Sequence, residues 1–179
     1  MSFLNKRRAG TTPHEPVFPL NGNVKVHASF TMGQYRNLQI QPAAKVNIAE
    51  SVLFREFCNI LVNDKASLLI RKGVFFNNYC SINCLDHIEI GEDTIFGEGG
   101  KLYDHNHKYA VDPFRVEKGE FTTAPIRIGK NCWIGSNVTI LKGVTIGDNV
   151  IIGAGCLIVK SIPSNSLVKH IENLDIRPL

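Results

Sequence analysis

The chain has 179 residues, 44% of them hydrophobic and 20% charged, which is enough for one well-buried domain and short for two. Lys and Arg number 20 against 16 Asp and Glu, and the net charge of +4 comes without any basic run interleaved with aromatics, which argues against a nucleic-acid partner. No apolar stretch reaches transmembrane length and the basic start, Met1 to Arg8, leads into no apolar core, so a soluble cytoplasmic protein without an integral membrane segment is expected.

In chain order, residues 1–23, which precede the clean part of the pattern, are expected to be an N-terminal arm. An early stretch, Leu20, Val26, Met32 and Leu38, already shows apolar residues six apart, in a phase shifted by two from that of the later residues. The period continues through Ile40, Val46, Val52 and Cys58, breaks once at the polar Asp64, and resumes through Ile70, Phe76, Ile82 and Ile88. It is cleanest toward the end, in Ile128, Ile134, Ile140, Ile146, Ile152 and Ile158. A second ladder, Ile126, Cys132, Val138, Val144, Val150 and Cys156, runs two residues ahead. A period of six matches neither the 3.6 of a helix nor plain strand alternation; it matches a short strand followed by a corner. The corner itself is visible, because Asn131, Asn137, Gly143, Asn149 and Gly155 recur at one point of the hexad and tolerate a left-handed backbone.

These features predict an all-β parallel β-helix over residues 24–165, with ~18 residues per triangular coil and on the order of seven coils. The five cysteines are an odd number, and Cys132 and Cys156 fall on the inward ladder, so reduced core residues are expected rather than disulfides or metal ligands. Between Leu102 and Ile126 the period fails. Residues 103–125 read as one long inserted loop, and a loop of that length is uncommon without a role. It opens with the densest polar cluster of the chain, Tyr103-Asp104-His105-Asn106-His107. An imidazole there suits a general base, worth ~10²- to 10⁴-fold in rate when well placed, although two histidines bonded to surface neighbours explain the cluster equally well. Directly after the loop stands Trp133, the single tryptophan, at an outward hexad position. Beyond Pro163 the hexad stops, leaving a short C-terminal tail, 166–179.

From about Phe76 to Ile162 the chain resembles the left-handed β-helix hexapeptide-repeat acyltransferases, and within them the maltose, galactoside and capsular or lipopolysaccharide O-acetyltransferases. The motifs that carry the resemblance are Ile90-Gly91-Glu92-Asp93, Asp104-His105, the long loop, the run from Ile128 to Ser136, and Ile152-Gly153-Ala154-Gly155. It implies a left-handed coil, a homotrimer with active sites between subunits, and acetyl-CoA as acetyl donor. It further implies His105 as the catalytic base, Asn77 as an amide near the acetyl and acceptor groups, and Trp133 as the indole at the reactive end. CoA would lie along the C-terminal coils against Ser136, Ala154, Val159, Lys160 and Arg177. Asp104 and His107 are assigned to the acceptor, and no metal is expected. The tail from Leu167 to Leu174 departs from the family's usual small-residue turn and basic end.

The expected function is therefore transfer of acetyl from acetyl-CoA to a hydroxyl of a sugar or cell-envelope polysaccharide precursor. Three alternatives stand beside it. They are N-acetylation of an amino-sugar nucleotide, a metalloenzyme like the γ-carbonic anhydrases using His87, His105 and His107, and a non-catalytic β-helix scaffold.

Overall fold

A computed structural model describes residues 22–170; Leu20 and Arg177 lie outside the described residues. Strands of two to four residues wind into a parallel β-helix with three faces. The first face stacks Val24–Val26, Lys45–Ile48, Ser67–Ile70, His87–Ile90, Ile126–Ile128 and Thr145–Ile146. The second stacks seven two-residue strands, from Thr31–Met32 to Leu167–Val168. The third stacks six, from Asn37–Ile40 to Leu157–Ile158. The chain completes six left-handed coils and begins a seventh, in which Ile162 bridges to Ile146 and Leu167 pairs with Ile151. The solenoid thus runs past Pro163 to Val168, somewhat further than the hexad pattern indicates. Among the described residues no helix is long and apolar enough to cross a membrane.

Successive coils are not of equal length. Hydrogen-bonded partners lie 22 residues apart in the first coils (Asn37 to Asn59), then 20 (Ser67 to His87), then 18 (Lys130 to Asp148), and finally 16 (Thr145 to Ser161). The uniform eighteen-residue coil expected from the hexad therefore holds only in the coil that follows the inserted residues. All of this variation is taken up at one corner, between the third face and the first. The path from first to third face keeps one length throughout, as the register pairs Val46 with Leu68, Ile60 with Ile82, Ile88 with Ile126, and Leu102 with Ile140. The first and third faces lose strand residues at that shared corner as the coil shrinks, so the prism tapers toward its C-terminal end.

Inside, identical register positions form columns. Phe54, Phe76 and Phe96 stack with ring centroids 4.2 Å apart, and columns of Ile, Val and Leu run beside them. All five cysteines are free and buried. Where the column at Val74 and Cys132 is interrupted by Thr94, its hydroxyl donates to Gly129 O at 2.8 Å and accepts from Cys132 N at 3.1 Å, so the buried polar group is satisfied. The left-handed corners fall where Asn131, Asn137, Gly143, Asn149 and Gly155 predict them. In the N-terminal coils the corner between the second and third faces instead carries Tyr35, Phe57 and Tyr79 with φ of 54°, 58° and 60°. For such side chains this conformation costs about 1–2 kcal/mol each.

Candidate active site

The inserted residues leave at the same corner that absorbs the coil-length changes. They form a two-stranded antiparallel arm, His105–Val111 against Phe114–Thr123, rather than an irregular loop. Its base is tied to the prism by Ala124 N donating to Asp104 O at 3.0 Å, and by Lys142 Nζ donating to Thr122 O at 3.2 Å.

Asp104 explains how the chain departs. It follows Tyr103 on the third face at the end of an inward column that carries Val62 and Cys84 below it, and its residue is fully buried. The next coil is shorter, so the backbone of Leu85 and Asp86 has no strand above it at this corner. The Asp104 carboxylate takes that place, accepting from Leu85 N at 2.9 and 3.1 Å and from Asp86 N at 2.8 Å. Its Oδ1 also lies 3.2 Å from Nδ1 of His105. The carboxylate oxygen accepts there, which assigns the imidazole proton to Nδ1 and leaves the lone pair on Nε2. Burial, followed by the nearby Asp104 charge, pushes the Cys84 thiol well above the ordinary thiol range.

Asp104, expected at the acceptor, is buried and bonds to the backbone of Leu85 and Asp86 and to His105. His105 itself is largely enclosed, with its side chain 16% exposed and its ring edge-on to Phe121 at 5.2 Å and to Tyr103 at 6.2 Å. His107 lies exposed on the same arm strand, its ring 4.6 Å from that of Phe121, so one phenyl ring separates the two imidazoles.

The remaining expected residues divide between places. Asn77 sits at the opposite edge of the third face, one residue beyond Phe76, with its Oδ1 accepting from Asn78 N at 2.8 Å and from Arg55 Nη1 at 3.3 Å. Ser136 and Ala154 are at that same corner in higher coils, Ser136 half-buried and Ala154 exposed. Val159 and Lys160 are exposed at the His105 side of the third face, in the coil above Leu141 and Lys142. Trp133 points outward as expected, 55% exposed, but from the second face, between Ile95 and Ile151. That face lies opposite the corner from which His105 emerges, so one chain does not bring Trp133 beside His105.

His87 is turned away from the arm. Ser67 Oγ lies 2.5 Å from its Nδ1 and Glu89 Oε2 3.8 Å from its Nε2, both on the first face. It therefore does not join His105 and His107, and among the described residues no group of three His, Cys, Asp or Glu is arranged to hold a metal ion. Two concave regions of about 670 and 240 Å³ open on the first face, and neither includes His105 or Trp133.

Residues 125–160 match the family model described as bacterial transferase hexapeptide (six repeats). No curated protein matches the sequence at a significant level. Among solved structures, galactoside acetyltransferase in complex with coenzyme A is 26% identical, with a TM-score of 0.52 over 79% of this chain and 61% of that one. A hexapeptide-repeat acetyltransferase from Vibrio cholerae shares the fold at 22% identity and a TM-score of 0.52, covering 78% of this chain and 68% of that chain. A mutant of the N-acyltransferase AntD from Bacillus cereus, in complex with dTDP and coenzyme A, shares it at 14% identity and a TM-score of 0.62, with 80% and 77% covered. The class defined by repeat and fold is thus the hexapeptide-repeat left-handed β-helix. The chain resembles the acyltransferases built on it.

Proposed function

We propose that this chain is an acetyl-CoA-dependent O-acetyltransferase acting on a hydroxyl of a sugar or cell-envelope polysaccharide precursor, with His105 as general base. The observation that carries the reading is the His105 imidazole held through Nδ1 by the buried Asp104 carboxylate, so that Nε2 is left to accept a proton. Bound acetyl-CoA would supply the acetyl group as a thioester. His105 Nε2 takes the proton of the acceptor hydroxyl as its oxygen bonds to the acetyl carbon. It then returns that proton to the sulfur as the carbon–sulfur bond breaks, giving the acetyl ester and free CoA.

The outward side of the third face suits the donor's slender arm. Leu157 and Val159 are exposed apolar residues there, Ala154 at its edge leaves room, and Lys142 and Lys160 at the His105 corner would meet phosphates. Ser136 completes the opposite edge, and Arg177 belongs to the same proposal although it lies outside the described residues. Such a donor implies a cytoplasmic site of action.

The assembly is a homotrimer in this reading. The arm exposes Tyr109, Val111, Phe114 and Val116, while the opposite face exposes Ile95, Trp133, Ile151 and Leu167. These two apolar surfaces lie on opposite sides of the prism, so a second copy would bring its Trp133 and Asn77 to the arm of the first and close the site around His105 and His107. The test is His105→Ala. Acetyl-CoA consumption across a panel of sugars, sugar nucleotides and oligosaccharides is expected to fall by ~10² or more while circular dichroism and solution mass stay unchanged. Turnover near that of the unaltered protein would refute the assignment.

A further inference from the structure

One position recurs just past each strand of the second face, and successive coils fill it with Gly33, Arg55, Asn77, Gly97, Gly135 and Gly153. Glycine is the default there, because a Cβ on Gly33, Gly97 or Gly135 would stand 2.6–2.8 Å from the backbone of the next coil. Arg55 and Asn77 are the two exceptions, and they bond to each other, Arg55 Nη1 donating to Asn77 Oδ1 at 3.3 Å. Among the described residues Arg55 forms no ion pair, so its guanidinium does not answer a carboxylate.

Asn77 is held at every polar atom but one. Its N donates to Phe96 O at 3.1 Å, its O accepts from the Cys58 thiol at 3.1 Å, and its Oδ1 accepts from Asn78 N at 2.8 Å as well as from Arg55. The two donors on Oδ1 decide which way the amide lies, since the opposite orientation would set Nδ2 against two N–H groups with nothing to accept. Nδ2 is left without an acceptor. No buried side-chain nitrogen among the described residues lacks a partner, so Nδ2 is open to solvent. The corner beside it is braced, with the rings of Tyr35, Phe57 and Tyr79 stacked at centroid distances of 4.7 and 4.9 Å. Asn77 therefore presents a fixed N–H donor rather than an acceptor.

We infer that Arg55 is a positioning residue for the transfer reaction, locking the Asn77 amide so that its Nδ2–H donates to the acetyl oxygen as that oxygen becomes an oxyanion. The inference rests on the acetyltransferase reading, in which Asn77 of one copy meets His105 of the next. As the acceptor oxygen bonds to the acetyl carbon, the C=O electron pair moves onto the acetyl oxygen, and it returns when the carbon–sulfur bond breaks. The Asn77 N–H keeps its proton throughout. A donor already in place needs no reorganisation at that moment, and losing one costs ~10²- to 10³-fold in kcat. The guanidinium on Oδ1 also polarises the amide, which strengthens Nδ2–H as a donor.

The test is a cycle of variants, read by kcat and KM for acetyl-CoA on the acceptor of the sugar panel that the parent turns over fastest. Asn77→Asp keeps the shape and the bonds to Oδ1 but removes the N–H. It is expected to melt no lower than the parent, because the carboxylate pairs with Arg55, and to lose about 10²-fold or more in kcat with KM within about two-fold. Arg55→Ala is expected to lower kcat about ten-fold at unchanged KM, Arg55→Lys to recover most of that loss, and Arg55→Ala in the Asn77→Ala background to cost nothing further. In the free protein, the Asn77 side-chain amide resonance, identified by its absence from Asn77→Asp, is expected to shift in Arg55→Ala. Parent-like kcat in Asn77→Asp or in Arg55→Ala overturns the inference, as does an amide resonance that does not move. An equal loss from Arg55→Ala with and without Asn77 also overturns it, since Arg55 then acts on the substrate itself. A parent that consumes acetyl-CoA on no acceptor sinks the acetyltransferase reading and the oxyanion role with it, while a shifted resonance would still show Arg55 locking the amide.

Discussion

At the scale of single residues, Asp104 joins fold and chemistry. A carboxylate at an inward position is costly unless its oxygens are occupied, and here Leu85 N, Asp86 N and His105 Nδ1 occupy them. Asp104→Asn replaces one acceptor by an amide donor facing those same donors. The expected loss is about 1–3 kcal/mol of stability by denaturant titration, together with a fall in kcat on the order of 10²-fold with little change in KM. If instead kcat holds and only stability drops, Asp104 is a corner cap without a part in orienting His105. The sequence places Asp104 in the right cluster but cannot say which side of the backbone it takes. Alternation along the last strand puts it inward, and a polar residue beside two histidines reads more readily as outward.

At the scale of elements, the repeat and its corners are legible in the C-terminal half because each side there is one hexad, and Ile128 to Ile158 mark it without interruption. In the N-terminal half the sides beside one corner are longer, and inward residues come in threes such as Val46 and Ile48 after Ala44. Enough of them still fall six apart to imitate a constant hexad. The true coil is visible in another spacing, because Tyr35, Phe57 and Tyr79, like Phe54 and Phe76, lie one N-terminal coil apart. Deviation from a regular coil is confined to one corner, and the Phe column on the second face lies away from it. Phe76 stacks at 4.2 Å on both neighbours and is fully buried. Phe76→Ala should therefore cost about 3–5 kcal/mol, seen as a lowered denaturation midpoint, since the hydrogen-bonded coils above and below cannot collapse into the cavity. A cost below about 1 kcal/mol would show the column to be more plastic than this. The arm is legible in the sequence by its place but not by its form: its strand pairing depends on contacts between its own halves that the hexad does not encode.

At the scale of the whole molecule, a narrow core holds all its thiols away from water. Cys80 is pushed above the thiol range by its neighbour Cys58 and by burial, and Cys84 and Cys132 chiefly by burial. Native thiols of this kind keep their protons where those of the unfolded chain lose them, so the unfolded state binds fewer protons above about pH 8.5 and stability falls as pH rises from there. The midpoint in urea should accordingly drop between about pH 7.5 and pH 10, and a thiol reagent should label the native protein slowly and the denatured one fast; a midpoint that does not move would contradict the linkage. The repeat, the left-handed corners and the point where the solenoid is interrupted are all written in the linear chain, because they are periodic and local. It takes the folded prism to put Asp104 inside, to stack three aromatics along one edge, and to set His105 and Trp133 on opposite sides of one chain. Those relations depend on the residue count of every coil between them, and a one-dimensional period cannot carry that sum around three faces.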